Sequence, residues 1–244
     1  MRTLLACATI LGLVVLAPGL SYGSGAPGPT GPLVIDKDDD KGRFFIGGGY
    51  SSISTTVEFD ELDVEFEQQA VALTIGKQFG RSWSVAIAVG LILGGELELE
   101  DPMREFDIDK GFMSNVQVVR QWTFGAEDKW FVAGEFAGGI GLASSAEEIG
   151  EEEIGSERVT GFDVRAGAMA GRDVGEMIRP YLITRGFVGP INWTIDGDKE
   201  TGTDKFFFQV GAGITVDVPL GFTFGLEGAF LGERRVAFAV VSRL

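Results

Sequence analysis

The sequence predicts an all-β fold, an up-and-down antiparallel transmembrane β-barrel of about ten strands, with eight or twelve as the alternatives, and three observations predict it. The first is period-two alternation in the central stretch. Trp83, Val85, Ile87, Val89, Leu91 and Leu93, then Leu97 and Leu99, take the odd positions. Ser84, Ala86, Ala88, Gly90, Gly94, Glu96, Glu98 and Glu100 take the even ones. After Asp101-Pro102-Met103-Arg104 the phase restarts, with Phe106, Ile108, Phe112, Val116, Val118, Trp122 and Phe124 on even positions. Alternation this long gives a strand one oily and one wet face. The second observation is that the apolar faces oppose small or polar ones, the inverse of a soluble barrel with a greasy interior. Outward apolar stripes of that extent exceed the few hundred Å² that a monomer tolerates in water. The third is that the chain past its N-terminus holds no apolar run near the ~18 residues of a membrane-spanning helix.

The N-terminus predicts export. Met1-Arg2 is a short positive start, and Leu4 to Ala17 is an apolar core of signal-peptide length. Small and turn residues follow, which sets cleavage near residues 22–26. The chain therefore divides into a signal peptide (1–23), a flexible periplasmic lead-in (24–42) and the barrel (43–244). The only cysteine, Cys7, lies in the signal, so disulfide and thiol chemistry are excluded from the mature chain. Asp36, Asp38 and Asp40 mimic a calcium loop. Lys41 stands where that loop needs glycine, however, so the segment reads as a solvated linker. The net charge of −16 removes nucleic acid as a partner, because phosphate binding needs a basic footprint.

Taken in order, the first strand runs from Arg43 to Phe59, its phase obscured by Gly47-Gly48-Gly49. The second, Val64–Phe79, puts Val71, Leu73, Ile75 and Phe79 on one face. Val64 and Phe66 have the opposite parity, which suggests a bulge near Gln68-Gln69. The central hairpin follows the turn at Gly80-Arg81. Trp130, Val132, Phe136, Ile140 and Leu142 form the oily face of the fifth strand, and Ser144–Glu157 reads as the longest loop. The sixth, Arg158 to Gly171, sets Phe162, Val164, Ala166, Ala168 and Ala170 against Asp163, Arg165, Gly167 and Met169. In Ile178–Trp193 the residues Tyr181, Ile183 and Phe187 share the parity of Arg179 and Arg185, so the facing is undecided. Thr194–Asp204 reads as a loop, and Phe206–Val218 alternates clearly. Phe222, Phe224, Leu226 and Phe230 then oppose Thr223, Gly225, Glu227 and Ala229, and after the Gly232-Glu233 turn the strand Arg234–Leu244 closes the count. Aromatics gather at the short-turn ends (Phe79, Trp83, Trp122, Phe124, Trp130, Phe222), as expected where a barrel meets lipid headgroups. Arg120 has outward parity in that band and is expected to snorkel.

The opening strand Phe44-Phe45-Ile46-Gly47-Gly48-Gly49-Tyr50 and the closing strand, with Val236, Phe238, Val240 and terminal Leu244 in one phase, resemble the small outer-membrane β-barrel proteins of Gram-negative bacteria. The resemblance covers residues 43–244. It implies the cell outer membrane as location, with membrane lipids, lipopolysaccharide and the barrel-assembly machinery as partners, and a monomer with both termini periplasmic. In that family the closing strand carries the assembly signal, usually with a terminal Phe, from which Leu244 departs.

Chemistry narrows the function further. The chain has no His, so neither a Ser-His nor a His-Asp pair can be built, and an enzyme is not expected. The polar residues expected in the lumen are Gln117, Glu135, Asp163, Arg165, Arg185 and Glu227, a set that reads first as a structural plug. Four segments on the long-loop side (58–67, 96–109, 147–157, 196–204) carry 23 of the 36 acidic residues, so that rim is expected to be strongly negative. By parity Glu96, Glu98, Glu100, Glu105, Asp107 and Asp109 are expected on the lumen side above the membrane, as a weak Ca²⁺ or Mg²⁺ site. No other cofactor is expected. The leading reading is a structural or surface-interaction barrel with an acidic extracellular face. The alternatives are a narrow cation-preferring, porin-like pore and, third, a soluble secreted lipid-binding barrel.

Overall fold

The computed structural model describes residues 42–60, 62–99, 105–149, 152–195 and 198–244. The signal peptide, the lead-in up to residue 41 and residues 100–104 lie outside the described residues. Among the described residues thirteen strands form one antiparallel sheet: β1 (Phe44–Phe59), β2 (Leu62–Phe79), β3 (Trp83–Leu99), β4 (Glu105–Ile108), β5 (Gly111–Phe124), β6 (Trp130–Ile149), β7 (Glu152–Arg172), β8 (Ile178–Val188), β9 (Pro190–Ile195), β10 (Asp198–Asp204), β11 (Phe208–Val218), β12 (Phe222–Gly232) and β13 (Arg234–Arg243). Three of these are continuations of the strand before them, β5 of β4, β9 of β8 and β11 of β10, so the chain makes the ten passes that the alternation predicts. The segments expected as loops at Ser144–Glu157 and Thr194–Asp204 are instead the paired ends of β6 with β7 and of β9 with β10.

The sheet closes on itself at two levels. In the lower ring β13 lies against β1 over ten residue pairs, from Phe45↔Arg243 to Ser54↔Arg234. Just above, the β12–β13 hairpin has already turned. Its Gly232 has φ 74°, and a Cβ there would lie 1.9 Å from the Phe208 carbonyl oxygen, so only glycine fits the turn. Beyond that point β10 takes the place of β13 beside β1, with Val57↔Asp204 and Glu58↔Thr203. The lower ring thus has ten strands, and the upper has eight: β1, β2, β3, β4, β6, β7, β9 and β10. Strand lengths follow this division. The strands confined to the lower ring, β5, β8, β11, β12 and β13, have 14, 11, 11, 11 and 10 residues, most of them close to the ~9–11 of a tilted bilayer-spanning strand. β1, β2, β3, β6 and β7 have 16, 18, 17, 20 and 21. At about 3.3 Å per residue those rise far beyond a ~25 Å apolar band, even when tilted.

The two rings invert their faces. In the lower ring Leu73, Ile75, Ile87, Leu91, Val116 and Phe136 are exposed on the outside. In the upper ring the apolar residues point inward: Val57, Phe59, Val64, Phe66, Leu97, Leu99, Phe106, Ile108, Val159, Ile191 and Trp193 form one core, which Ile53 joins from the top of the lower ring. Trp193 sits edge-on to Phe106, with ring centroids 4.8 Å apart, and its indole N–H donates to the Ser145 hydroxyl at 2.9 Å.

The chain achieves the inversion in two ways. β2 keeps its parity throughout and simply changes which face is apolar, so Val64 and Phe66 need no bulge in their own strand. β3 keeps its apolar residues on odd positions but inserts one extra residue. Gln69 pairs with Gly94 and Ala70 with Ile92, leaving Leu93 as a bulge that turns Leu97 and Leu99 inward. At the short-turn end the expected girdle is present, with Phe79, Trp83, Trp122, Phe124 and Trp130 exposed. Arg120 faces out among them, 4.9 Å and 4.8 Å from the Trp83 and Trp122 ring centroids. Such contacts contribute about 0.5–1 kcal/mol at exposed sites.

Candidate functional site

The lower ring encloses a charged network built by the inward positions of β6, β7, β8, β11, β12 and β13. Arg185 stands at its centre. Its guanidinium donates to Gln209 Oε1 and Glu227 Oε1, each at 2.7 Å, and to Glu135. The Tyr181 hydroxyl donates to the other Glu227 oxygen at 3.0 Å. One strand away, Arg165 donates through both terminal nitrogens to the two Glu233 oxygens at 2.7 Å, and through Nε to Asp163. Gln209 links the halves, because its amide N–H₂ donates to Glu233 at 2.9 Å. Arg235 is buried alongside, and the Arg165 guanidinium stacks 4.7 Å from the Phe187 ring centroid. Buried carboxylates and guanidinium groups persist only when each is paired, since an ion left alone there carries its whole desolvation cost.

Apolar layers lie on both sides of this network. Toward the short turns are Val119, Phe131, Ala133, Met169, Tyr181 and Ile183. Toward the long strands is the upper-ring core. At the short-turn mouth a depression of about 580 Å³ is lined by Asp173, Arg179, Asp217 and Arg243, which pair as Arg179–Asp173 (2.7 Å) and Arg243–Asp217 (3.4 Å).

Of the residues expected in the lumen, Glu135, Asp163, Arg165, Arg185 and Glu227 are all buried and meet in this network. Gln117 shares the inward face of β5 with the buried Asn115 and Gln121 and is itself half-buried. The alternation did not single out Gln209, Glu233, Arg235 and Tyr181. Glu233 read as part of a turn and Arg235 as part of the closing strand, yet both continue the odd, small-residue face of Ala237 and Ala239, and that phase was the available signal. Tyr181 shares its parity with Arg185, and both face in.

The acidic residues of the central hairpin are not on the lumen side. The Leu93 bulge turns Glu96 and Glu98 outward, and on β4 Phe106 and Ile108 take the inward positions while Glu105 is exposed and Asp107 half-buried. Asp109, in the break before β5, is exposed, and Glu100 lies outside the described residues. Register places the outer carboxylates in two cross-strand rows, Glu65–Glu98–Glu105 and Glu67–Glu96–Asp107. Directly opposed like charges destabilise strand pairs. Partial burial, and after it the carboxylates of Glu105, Glu67, Asp107 and Glu98, hold Glu96 above the usual carboxylate range. Among the described residues no three acidic side chains converge in a geometry that would hold a metal ion.

No protein-family model matches the chain, and no curated protein matches it. Similar folds exist among solved structures. The translocator domain of the autotransporter NalP from Neisseria meningitidis is 14% identical, with 85% of this chain and 91% of that one covered at a TM-score of 0.46. The transport unit of the autotransporter AIDA-I from Escherichia coli is 11% identical, with 86% and 92% covered and a TM-score of 0.42. The outer membrane protein OprG from Pseudomonas aeruginosa is 11% identical, with 84% and 98% covered and a TM-score of 0.38.

Proposed function

We propose that this chain is exported by its N-terminal signal to the outer membrane of a Gram-negative cell and stands there as a monomeric, non-enzymatic, closed barrel. Its upper ring then presents an acidic surface to the outside of the cell. The observation that carries this reading is the filled interior. A salt-bridged layer around Arg165 and Arg185 lies between two apolar clusters, so paired charges and apolar side chains fill much of the described interior. An interior filled in this way leaves the work to the exposed upper ring.

The two carboxylate rows support a surface that gathers cations. Ca²⁺ and Mg²⁺ prefer carboxylate oxygens and would lower the repulsion within the rows. Such ions would also bridge the rows to the phosphates of lipopolysaccharide. A narrow cation-preferring pore gains no support, because Glu135, Asp163, Glu227 and Glu233 are each engaged by an arginine. The test is planar-bilayer recording of folded protein at pH 6. The expected outcome is no discrete conductance. Cation-selective steps from protein shown to be folded would replace this reading with the pore.

A further inference from the structure

The wall of the upper ring contains one hairpin that is attached differently from the rest. Both arms of β9–β10 are interrupted at their base, where they continue into β8 and β11. On one arm Gly189 breaks the strand at a point where a Cβ would lie 1.8 Å from the Phe162 carbonyl oxygen, and Pro190 follows with no N–H to donate. On the other arm Lys205–Phe207 leaves the strand, held by the Lys205 N–H to the Thr56 carbonyl at 2.8 Å, the Lys205 ammonium to Asp63 and the Phe187 N–H to the Phe207 carbonyl at 3.0 Å, with Phe206 and Phe207 both exposed. The edges are short as well. β9 meets β7 over three residue pairs and β10 meets β1 over two, whereas β8 meets β7 over eight and β13 meets β1 over ten.

A single buried carboxylate sits at the weaker edge. Asp204 accepts from the Thr55 hydroxyl of β1, which lies 2.9 Å from both of its oxygens, and from the Phe206 N–H at 2.9 Å. From β7 it faces Arg165, already engaged by Asp163 and Glu233. From the β12–β13 hairpin it faces Glu233 itself. On the inner side, Trp193 of the same hairpin fills the apolar core.

We propose that β9–β10 is a hinged flap in the barrel wall, latched to β1 where Asp204 is buried beside Glu233 and released when Asp204 ionises there. Opened, it connects the charged interior of the lower ring sideways to the water around the upper ring. The latch has a direction in pH. Burial first, and then the neighbouring Glu233 carboxylate, push Asp204 up to about 7, outweighing the Phe206 N–H, the Thr55 hydroxyl and Arg165, which favour the carboxylate. A carboxyl raised in the closed state favours closure while protonated. That contribution is complete below the ordinary carboxylate range and is lost as pH rises through about 7.

The test uses the full mature chain in lipid vesicles with Trp83, Trp122 and Trp130 replaced by Phe, so that Trp193 is the only indole. Acrylamide quenching is then followed from pH 5.5 to 8.5. The expected result is a several-fold rise in the quenching constant with a midpoint near pH 7. In Asp204→Asn the constant should stay low across the range. A second variant, Glu58→Cys with Thr203→Cys, places a disulfide across the seam at directly paired positions. When oxidised it should hold quenching low at every pH, and reduction should restore the rise. Low, pH-independent quenching in the parent overturns the proposal, as does an Asp204→Asn profile or an oxidised-disulfide profile that follows the parent. A flap that never opens leaves the closed-barrel reading standing, since conductance at pH 6 tests that reading separately.

Discussion

Along β2, Leu73 and Ile75 face outward where the ring has ten strands, while Val64 and Phe66, nearer the tip, face inward where it has eight. The strand does not change its pleat between these points; its surroundings change. In the proposed membrane setting lipid surrounds the lower ring, so apolar side chains belong outside and polar ones satisfy one another inside. Water surrounds the upper ring, so the same sheet becomes a barrel of the soluble kind, with Trp193 and Leu97 in its core and glutamates outside. Which face of a strand is apolar is therefore a statement about the medium at that height, and it identifies the inside only once the height is known.

The largest test of this contrast lies in the lower interior. Arg185→Leu should cost about 3–5 kcal/mol, because it leaves Glu135 and Glu227 buried without their cation. Urea unfolding in lipid would measure it. A cost under ~1 kcal/mol would mean that water reaches those carboxylates, the range measured for exposed ion pairs.

Next comes the pair Leu97→Ala and Leu91→Ala. Leu97 is enclosed by the upper core and should cost about 2–5 kcal/mol, because its removal leaves a cavity. Leu91 faces lipid, which closes over the gap, so its substitution should lose the transfer term alone and cost less. Equal costs would break the distinction between the rings.

The smallest effect concerns the acidic rows. Glu96→Gln should stabilise the protein at neutral pH and low salt by a few tenths of a kcal/mol, about the scale of a cross-strand charge pair. The gain should vanish near 1 M salt, where screening reaches ~3 Å. Because Glu96 is held above the ordinary carboxylate range, the parent should lose stability as pH rises through the titration of Glu96. The variant should lose less.

The alternation made the ten passes and the lower interior legible, because lipid enforces one rule over the whole apolar band. Asp163, Arg165 and Glu135 were found that way. Above the band the same rule misplaced Glu96 and Glu98. Leu97 and Leu99 stay in phase with Leu91 in the sequence, while the bulge at Leu93 turns them to the other side, and a one-residue slip carries no compositional mark of its own. The two extended hairpins read as loops because they are acidic. An eight-stranded ring in water needs its charges outside, so acidity there is compatible with a strand. The pairing of β10 with β1 joins residues far apart in the chain, and no local pattern announces it.

The inversion itself is tested most directly by a cysteine scan from residue 91 to 99 in the mature chain, whose signal carries the only native cysteine, Cys7. Folded protein in vesicles would be exposed to a membrane-impermeant maleimide and, separately, to lipids bearing a nitroxide quencher after labelling in the unfolded state. The expected outcome is that position 91 is refractory to the maleimide and quenched by lipid. Positions 96 and 98 should be labelled at once, and 97 and 99 should be protected from both reagents. Rapid labelling at 97 and 99, with protection at 96 and 98, would place the glutamates inside and contradict the two-ring account.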